Sequence, residues 1–186
     1  MKRKIKALLS AREKRVIIDT NLTRAGVLIP LYEKEGMCNI LFTKRTEMVD
    51  KHKGEVSFPG GGYEDGDGDI RSTALRETYE EIGVLPEDIE ILGDLDDFIT
   101  TTGFIVSPLV GVISYPYEFK ISQFEIEKLI EVPILSLVDE KIISKDEIHY
   151  GGQTITSYVY KYDDYIIWGA TARILKQFLD IIFNKI

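Results

Sequence analysis

The chain has 186 residues, which is enough for one domain with a substantial hydrophobic core. Its formal net charge of −8 argues against a protein that binds nucleic acid or anionic membranes, because affinity for those surfaces depends on lysine and arginine. A small anionic substrate remains compatible with this charge. No hydrophobic run approaches the roughly 20 residues of a membrane helix, and the single cysteine, Cys38, cannot form an internal disulfide, so we expect a cytoplasmic protein.

Hydrophobic periodicity predicts strands and helices in alternation along one domain, residues 1–186, with no linker or repeat. The predicted strands are Thr23–Leu31, Asn39–Thr43, Ile89–Leu95, Phe104–Ile113, Glu147–Tyr150 and Thr154–Tyr160. The predicted helices are an N-terminal extension within residues 1–20, a helix at about residues 70–82, a short segment Glu125–Leu129, and a C-terminal helix that carries Ile174, Phe178 and Ile182. Cys38 is expected to be buried on a strand, and Trp168 to lie in the core or a pocket wall.

The second predicted helix has an unusual acidic face. Glu77, Glu80 and Glu81 fall within an arc of roughly 100° on this helix, whereas Leu75 and Ile82 point the opposite way. Clustered like charges destabilise a helix, and the penalty grows with burial. A hard divalent cation, Mg²⁺ or Mn²⁺, removes that repulsion and takes oxygen ligands. The pattern therefore predicts a metal site.

The same acids could instead form a solvated face, with Arg76 paired to Glu80 at i,i+4 spacing. The neighbouring residues favour the metal site. Asp69 can cap the helix and Gly83 can end it in the left-handed conformation. The turn Gly60–Gly62 can bring backbone close to a phosphate-sized anion.

The glycine-rich turn Gly60–Gly62 followed by Arg76–Gly83 resembles the Nudix box, the signature of hydrolases that cleave diphosphates linked to another group. Gly62 occupies the first glycine position of that box. Gly68 stands where the box has its first glutamate, and the nearby Asp67 matches an aspartate of one subgroup. The resemblance implies an α/β/α sandwich with a mixed β-sheet, with the box at about residues 60–84.

That subgroup is the coenzyme A diphosphatases. The similar residues are Leu41–Thr46, His52, Gly54 and Val56–Gly61, and weaker similarity extends over most of residues 22–180. Two positions depart from the subgroup pattern. Asp50 replaces a second arginine, and Glu55 replaces a glutamine.

The resemblance implies that the cation is held by the carboxylates of Glu77, Glu80 and Glu81, with a backbone carbonyl of Gly60 or Gly61. Arg76 is then expected to orient the cluster by pairing with one carboxylate. The general base is either a helix glutamate, such as Glu80 or Glu81, or Glu125 in a late loop before Val132-Pro133.

Substrate binding is assigned to a local group of basic residues. The expected substrate-binding residues are Arg45, Lys44, Lys51, Lys53, Phe58 and Gly60. Arg45 is the strongest candidate for the adenosine 3′-phosphate, since its guanidinium matches phosphate geometry. A solvated loop with solubilising charge is the alternative interpretation of these bases.

The predicted reaction is hydrolysis of coenzyme A or acyl-coenzyme A to adenosine 3′,5′-bisphosphate and 4′-phosphopantetheine or its acyl derivative. One alternative is another diphosphate of the same class, such as ADP-ribose or a dinucleotide. The other is a non-catalytic nucleotide-binding module, which would have no need for three clustered acids. The N-terminal segment and the strand edges could support a homodimer.

Overall fold

Helices and strands alternate through residues 1–49, 52–150 and 153–183, the part of the chain that this computed structural model describes. The helices are α1 (Lys2–Ser10), α2 (Ile70–Ile82) and α3 (Gly169–Phe183), and short 3₁₀ turns cover Pro86–Asp88, Ile134–Val138 and Glu140–Ile142. The strands are β1 (Thr23–Lys34), β2 (Met37–Arg45), β3 (Val56–Ser57), β4 (Gly60–Gly62), β5 (Ile89–Asp94), β6 (Phe98–Ile99), β7 (Phe104–Ile113), β8 (Ile126–Pro133), β9 (Ile143–Tyr150), β10 (Gln153–Tyr162) and β11 (Tyr165–Ile167). In these ranges no helix is long and apolar enough to cross a membrane.

The main sheet is mixed and has β1 at its centre. Its strand order is β3-β2-β1-β7-β5, and β4, β6 and β8 pair with β1, β7 and β2 respectively. β1 is antiparallel to β2 and parallel to β7, so that Leu28 lies beside Leu109. β9, β10 and β11 form a separate antiparallel sheet. The predicted mixed sheet is confirmed.

Side chains that alternate across β1 supply two hydrophobic cores, one on each face of the sheet. Ile29 and Leu31 pack in the cluster that includes residues of α1 and α3. Leu28 and Tyr32 pack in a second cluster with Ala74 of α2. The sheet therefore lies between α2 on one face and α1 with α3 on the other, which confirms the predicted α/β/α arrangement.

Gly26 of β1 sets how closely α2 approaches the sheet. A Cβ atom at this position would lie 2.8 Å from the backbone nitrogen of Ala74 and closer still to the carbonyl oxygen of Ile70. Only glycine allows this contact between helix and strand. Because Gly26 also pairs with Gly61 of β4, the acidic helix and the glycine-rich turn are held against the same point of β1.

Three expectations from the sequence need correction. Glu125–Leu129 is not a helix, because residues from Ile126 onward form β8, whose apolar positions pair along β2. Cys38 does lie on a strand, but it is only partly buried. Trp168 immediately precedes α3 and has half of its surface exposed, which excludes the core alternative of that expectation and leaves the pocket wall as a prediction.

Candidate active site

The acidic helix begins and ends where the sequence indicates. The carboxylate of Asp69 accepts a hydrogen bond from the backbone N–H of Ser72 at 2.7 Å and so caps α2. Gly83 ends the helix at φ +73°, and its N–H donates to the carbonyl of Tyr79 at 2.8 Å. Thr78 and Ile82 are buried against the sheet. On the acidic face Glu80 is exposed, whereas Glu81 is buried next to Arg45 of β2.

The acidic side chains form one cluster with two parts, and Arg76 lies at the centre of the more exposed part. Its guanidinium donates to Asp67 at 2.7 and 3.1 Å, to Glu77 at 2.9 Å and to Glu80 at 3.0 Å. It also donates to the carbonyl of Gly62 at 3.0 Å. The guanidinium therefore joins the helix to the glycine-rich turn and holds three carboxylates in fixed positions.

Asp67 supplies the carboxylate that Gly68 lacks. Its buried side chain accepts from Arg76, from the hydroxyl of Thr73 at 2.8 Å and from the N–H of Glu64 at 2.9 Å. The hydrogen bonds from Arg76 are the main reason why the pKa of Asp67 lies well below its ordinary value. The departure from the Nudix box at position 68 is therefore a displacement of the acid by one residue.

Glu81 forms the inner part of the cluster with Arg45 and Glu125. A guanidinium nitrogen of Arg45 lies 3.2 Å from Glu81 Oε1, and another lies 3.8 Å from Glu125 Oε2. The Glu81 side chain is only 2% exposed, and its Oε2 atom is buried without a hydrogen-bond partner. Burial raises the pKa of Glu81 to about 8, although the charge of Arg45 opposes this rise.

Glu77 lies between the two parts and against Gly61. A Cβ atom on Gly61 would lie 2.6 Å from Glu77 Oε2, so a side chain at position 61 would displace this carboxylate. Burial is the main cause of the raised pKa of Glu77. The absence of a side chain at Gly61 therefore leaves space that the Glu77 carboxylate fills.

This donor set fits a hard divalent cation. Glu77, Glu80, Glu81 and Glu125 offer carboxylate oxygens, one of them the unpartnered and buried Glu81 Oε2. Glu77 and Glu80 each direct one oxygen to Arg76. As the side chains stand, no three His, Cys, Asp or Glu residues within the described ranges are arranged closely enough to hold a metal ion.

The expected substrate-binding residues do not all meet at the cluster. Arg45 does, whereas Lys44, its neighbour on β2, pairs with Glu127 at 2.7 Å. Lys53 is exposed in the loop before β3. Gly60 lies on β4 and pairs with β1. Lys51, together with Asp50, lies outside the described residues.

Phe58 was expected to contact the substrate, and the structure contradicts this. Its side chain is buried, and its ring stacks on that of Phe42 with 4.7 Å between the centroids. The resemblance of Phe58-Pro59-Gly60-Gly61 to a motif of substrate-binding enzymes does not show which motif residues face solvent. Phe58 therefore supports the turn from within the core.

Sequence reasoning missed the bonds that hold Glu125 at the site. Residues 114–125, the late loop, connect β7 to β8. Thr46, next to Arg45, donates from its N–H to the carbonyl of Glu125 at 2.8 Å and from its hydroxyl to the carbonyl of Phe124 at 2.6 Å. Ser122 donates from its N–H to the carbonyl of Glu81 at 2.9 Å. These contacts join distant segments, so local sequence signals do not reveal them.

Comparison with known proteins identifies the family. The NUDIX domain family matches residues 22–123. Proteins named "Uncharacterized Nudix hydrolase NudL" are 34% identical in Enterobacter sp. (strain 638) and 32% identical in Klebsiella pneumoniae (strain 342), each over 157 residues that cover 84% of this chain and 81% of the relative.

Solved structures show the same fold. A MutT/nudix family protein from Enterococcus faecalis has a TM-score of 0.56 at 14% identity, covering 98% of this chain and 69% of that one. A C. elegans Ap4A hydrolase in a binary complex has a TM-score of 0.52 at 18% identity, covering 62% of this chain and 82% of that one. With the acidic helix, its arginine and the glycine-rich turn assembled in this fold, the chain belongs to the Nudix hydrolase family.

Proposed function

We propose that this protein hydrolyses the diphosphate bond of coenzyme A or acyl-coenzyme A in a reaction that depends on Mg²⁺ or Mn²⁺. The products are adenosine 3′,5′-bisphosphate and 4′-phosphopantetheine or its acyl derivative. The observation that carries the proposal is the cluster in which two arginines lie within 4.0 Å of six carboxylates. The coenzyme A substrate is supported by the resemblance of residues 41–61 to the coenzyme A diphosphatases.

In this proposal Glu77, Glu80 and Glu81 hold the cation, with the carbonyl of Gly61. When bound, such a cation neutralises charge on the diphosphate and lowers the pKa of water. Arg76 keeps Glu77 and Glu80 in place through its direct hydrogen bonds. The chain itself thus supplies three acids on one helix, whose side chains would have to draw together to hold a cation.

We assign the general base to Glu125. A base must exchange its proton with solvent, and the Glu125 side chain is 38% exposed, whereas that of Glu81 is 2% exposed. A guanidinium nitrogen of Arg45 lies 3.8 Å from Glu125 Oε2 and holds this carboxylate beside the acidic helix. Glu81, whose pKa is about 8 in the absence of metal, carries a proton at neutral pH and would have to lose it to serve as a cation ligand.

The position of Arg45 changes its proposed role. Because its guanidinium faces Glu81 and Glu125, we assign it to the substrate diphosphate and not to the adenosine 3′-phosphate. The exposed Lys53 is our candidate for the 3′-phosphate. Lys53→Ala should then raise KM for coenzyme A severalfold and leave KM for dephospho-coenzyme A unchanged. Equal effects on the two substrates would remove Lys53 from this role.

A chromatographic product assay tests the reaction. The purified protein is given coenzyme A, dephospho-coenzyme A and ADP-ribose in parallel, with Mg²⁺ or Mn²⁺, beside a Glu80→Gln variant. Release of adenosine 3′,5′-bisphosphate from coenzyme A that is faster than release of AMP from dephospho-coenzyme A or ADP-ribose, and that is lost in the variant, supports the proposal. Preferential cleavage of ADP-ribose would refute the coenzyme A assignment and retain the metal-dependent hydrolysis.

A further inference from the structure

A cavity of about 550 Å³ adjoins the acidic cluster. It lies between the C-terminal end of α2 and the late loop, with Tyr79, Glu80 and Leu85 on one side and Tyr117 and Lys120 on the other. Glu80 also belongs to the cluster around Arg76. A substrate whose diphosphate lies at the cluster can therefore extend past Glu80 into this cavity.

The walls of the cavity are held in place by hydrogen bonds. The N–H of Lys120 donates to the carbonyl of Ile82 at 3.0 Å, which fixes the late loop to the end of α2. The hydroxyl of Tyr117 accepts from the N–H of Leu85 at 3.1 Å and donates to Asp88 at 2.8 Å. A ligand thus meets a largely preformed site.

The surface of the cavity suits an uncharged ligand. Tyr79 is 51% exposed and Leu85 is 40% exposed, so both offer apolar area that a ligand can cover. Two carboxylates, Glu80 and Glu118, and one ammonium group, Lys120, line the same space. This balance disfavours a phosphate group, whereas the carboxylates can accept hydrogen bonds from amide N–H groups.

We propose that this cavity binds the uncharged pantetheine arm of the substrate, with Tyr79 and Leu85 as specificity-determining residues. The proposal rests on the proposed function, since it takes coenzyme A as the substrate. The two ends of coenzyme A differ in charge. The adenosine end carries a 3′-phosphate, for which the cavity offers no excess of positive charge, whereas the pantetheine end offers methylene groups and two amides.

The test is a ligand-observed NMR titration of the intact protein with pantetheine and, separately, with adenosine 3′,5′-bisphosphate. The variants are Tyr79→Ala, which removes a wall, and Leu85→Trp, which fills the cavity. Ile166→Ala on β11 is the control, because Ile166 is also an exposed apolar residue. We expect both cavity variants to weaken pantetheine binding about tenfold and to change adenosine 3′,5′-bisphosphate binding less than about twofold. The control should match the wild type for both ligands.

Pantetheine binding that is undetectable in the wild type, or unchanged in both cavity variants, would overturn the proposal. Equal weakening of both ligands would also overturn it, because the cavity would then not distinguish the two ends. The titration needs no turnover. Pantetheine binding that depends on Tyr79 without coenzyme A hydrolysis would support the cavity and refute the proposed function, and hydrolysis without this dependence would refute the cavity alone.

Discussion

Replacing Glu81 with glutamine should stabilise the metal-free protein at alkaline pH while it removes metal-dependent activity. The Glu81 side chain is almost completely buried, and one of its oxygens has no hydrogen-bond partner. An ionised carboxylate in that position is poorly solvated. Glutamine has similar size and carries no charge, so it avoids this penalty.

The pKa of Glu81 sets the size and the sign of the effect. A carboxyl group with a pKa of about 8 in the folded protein and 4.5 in the unfolded chain disfavours folding by about 5 kcal/mol once ionised. Between these pH values the folded state binds more protons, so the stability of the wild type falls as pH rises, and it levels off above pH 8. Losing the contact with Arg45 costs the variant about 1–3 kcal/mol. The expected net gain above pH 8 is therefore about 2–4 kcal/mol. It should reach zero between about pH 5 and 7, and near pH 4.5 the variant should be less stable than the wild type by about 1–3 kcal/mol.

Urea unfolding followed by circular dichroism, with the protein in EDTA, measures this difference across pH 4.5 to 9. Glu80→Gln is the matched control, because Glu80 is an exposed acid on the same helix and should change stability by less than about 1 kcal/mol. Adding Mg²⁺ at about 100 times its dissociation constant should stabilise the wild type by about 2.7 kcal/mol and leave Glu81→Gln unchanged. A stability difference that does not vary with pH would refute the assignment of Glu81 as a buried, protonated carboxyl group.

Three further predictions concern the same cluster. Gly61→Ala should weaken metal binding at least tenfold in calorimetry, with little loss of stability, because the new Cβ meets the flexible end of the Glu77 side chain. Gly62→Ala is the control and should bind metal like the wild type, since a Cβ there meets nothing within 4 Å. Equal metal affinities in the two variants would contradict this prediction. Asp67→Asn should lower the urea midpoint at pH 7, because the lowered pKa of Asp67 in the folded protein stabilises the wild type. The difference in midpoint between wild type and variant should shrink as pH falls below about 4, since this stabilisation requires that Asp67 is ionised in the unfolded chain. A constant difference down to pH 3 would exclude this cause. Glu125→Gln should lower kcat by about 10²-fold or more while metal affinity changes little, and near-normal turnover would remove Glu125 as the base.

Local sequence signals predict α2 well because its boundaries depend on neighbouring residues. Asp69 caps the first turn and Gly83 adopts the left-handed conformation that ends the last one. The predicted bounds of β7, Phe104–Ile113, match the structure because a largely apolar run, broken only by Ser107, is buried between β1 and β5. In both cases the residues that determine the element lie inside it or next to it.

The direction of Arg45 could not be predicted in this way. Its strand pairs with β8, a segment more than 80 residues away, and the register shifts between Lys44 and Arg45. Lys44 pairs with Glu127 on β8, whereas Arg45 faces Glu81 on α2. The expectation of a helix at Glu125–Leu129 failed for the same reason, since pairing with β2 outweighs the local pattern there.

The charge balance of the cluster explains how a protein with a net charge of −8 can act on an anionic substrate. Arg76 neutralises part of the charge of Asp67, Glu77 and Glu80 from one side, and Arg45 contacts Glu81 and Glu125 from the other. Even with Glu81 protonated, the other carboxylates outnumber the two guanidinium groups and leave an excess of negative charge that would repel a diphosphate. If these acids hold cations, as the proposed function has it, the bound ions would reverse the sign of the local field and attract the substrate that the metal-free cluster repels. Binding of metal and of diphosphate is therefore expected to be mutually dependent.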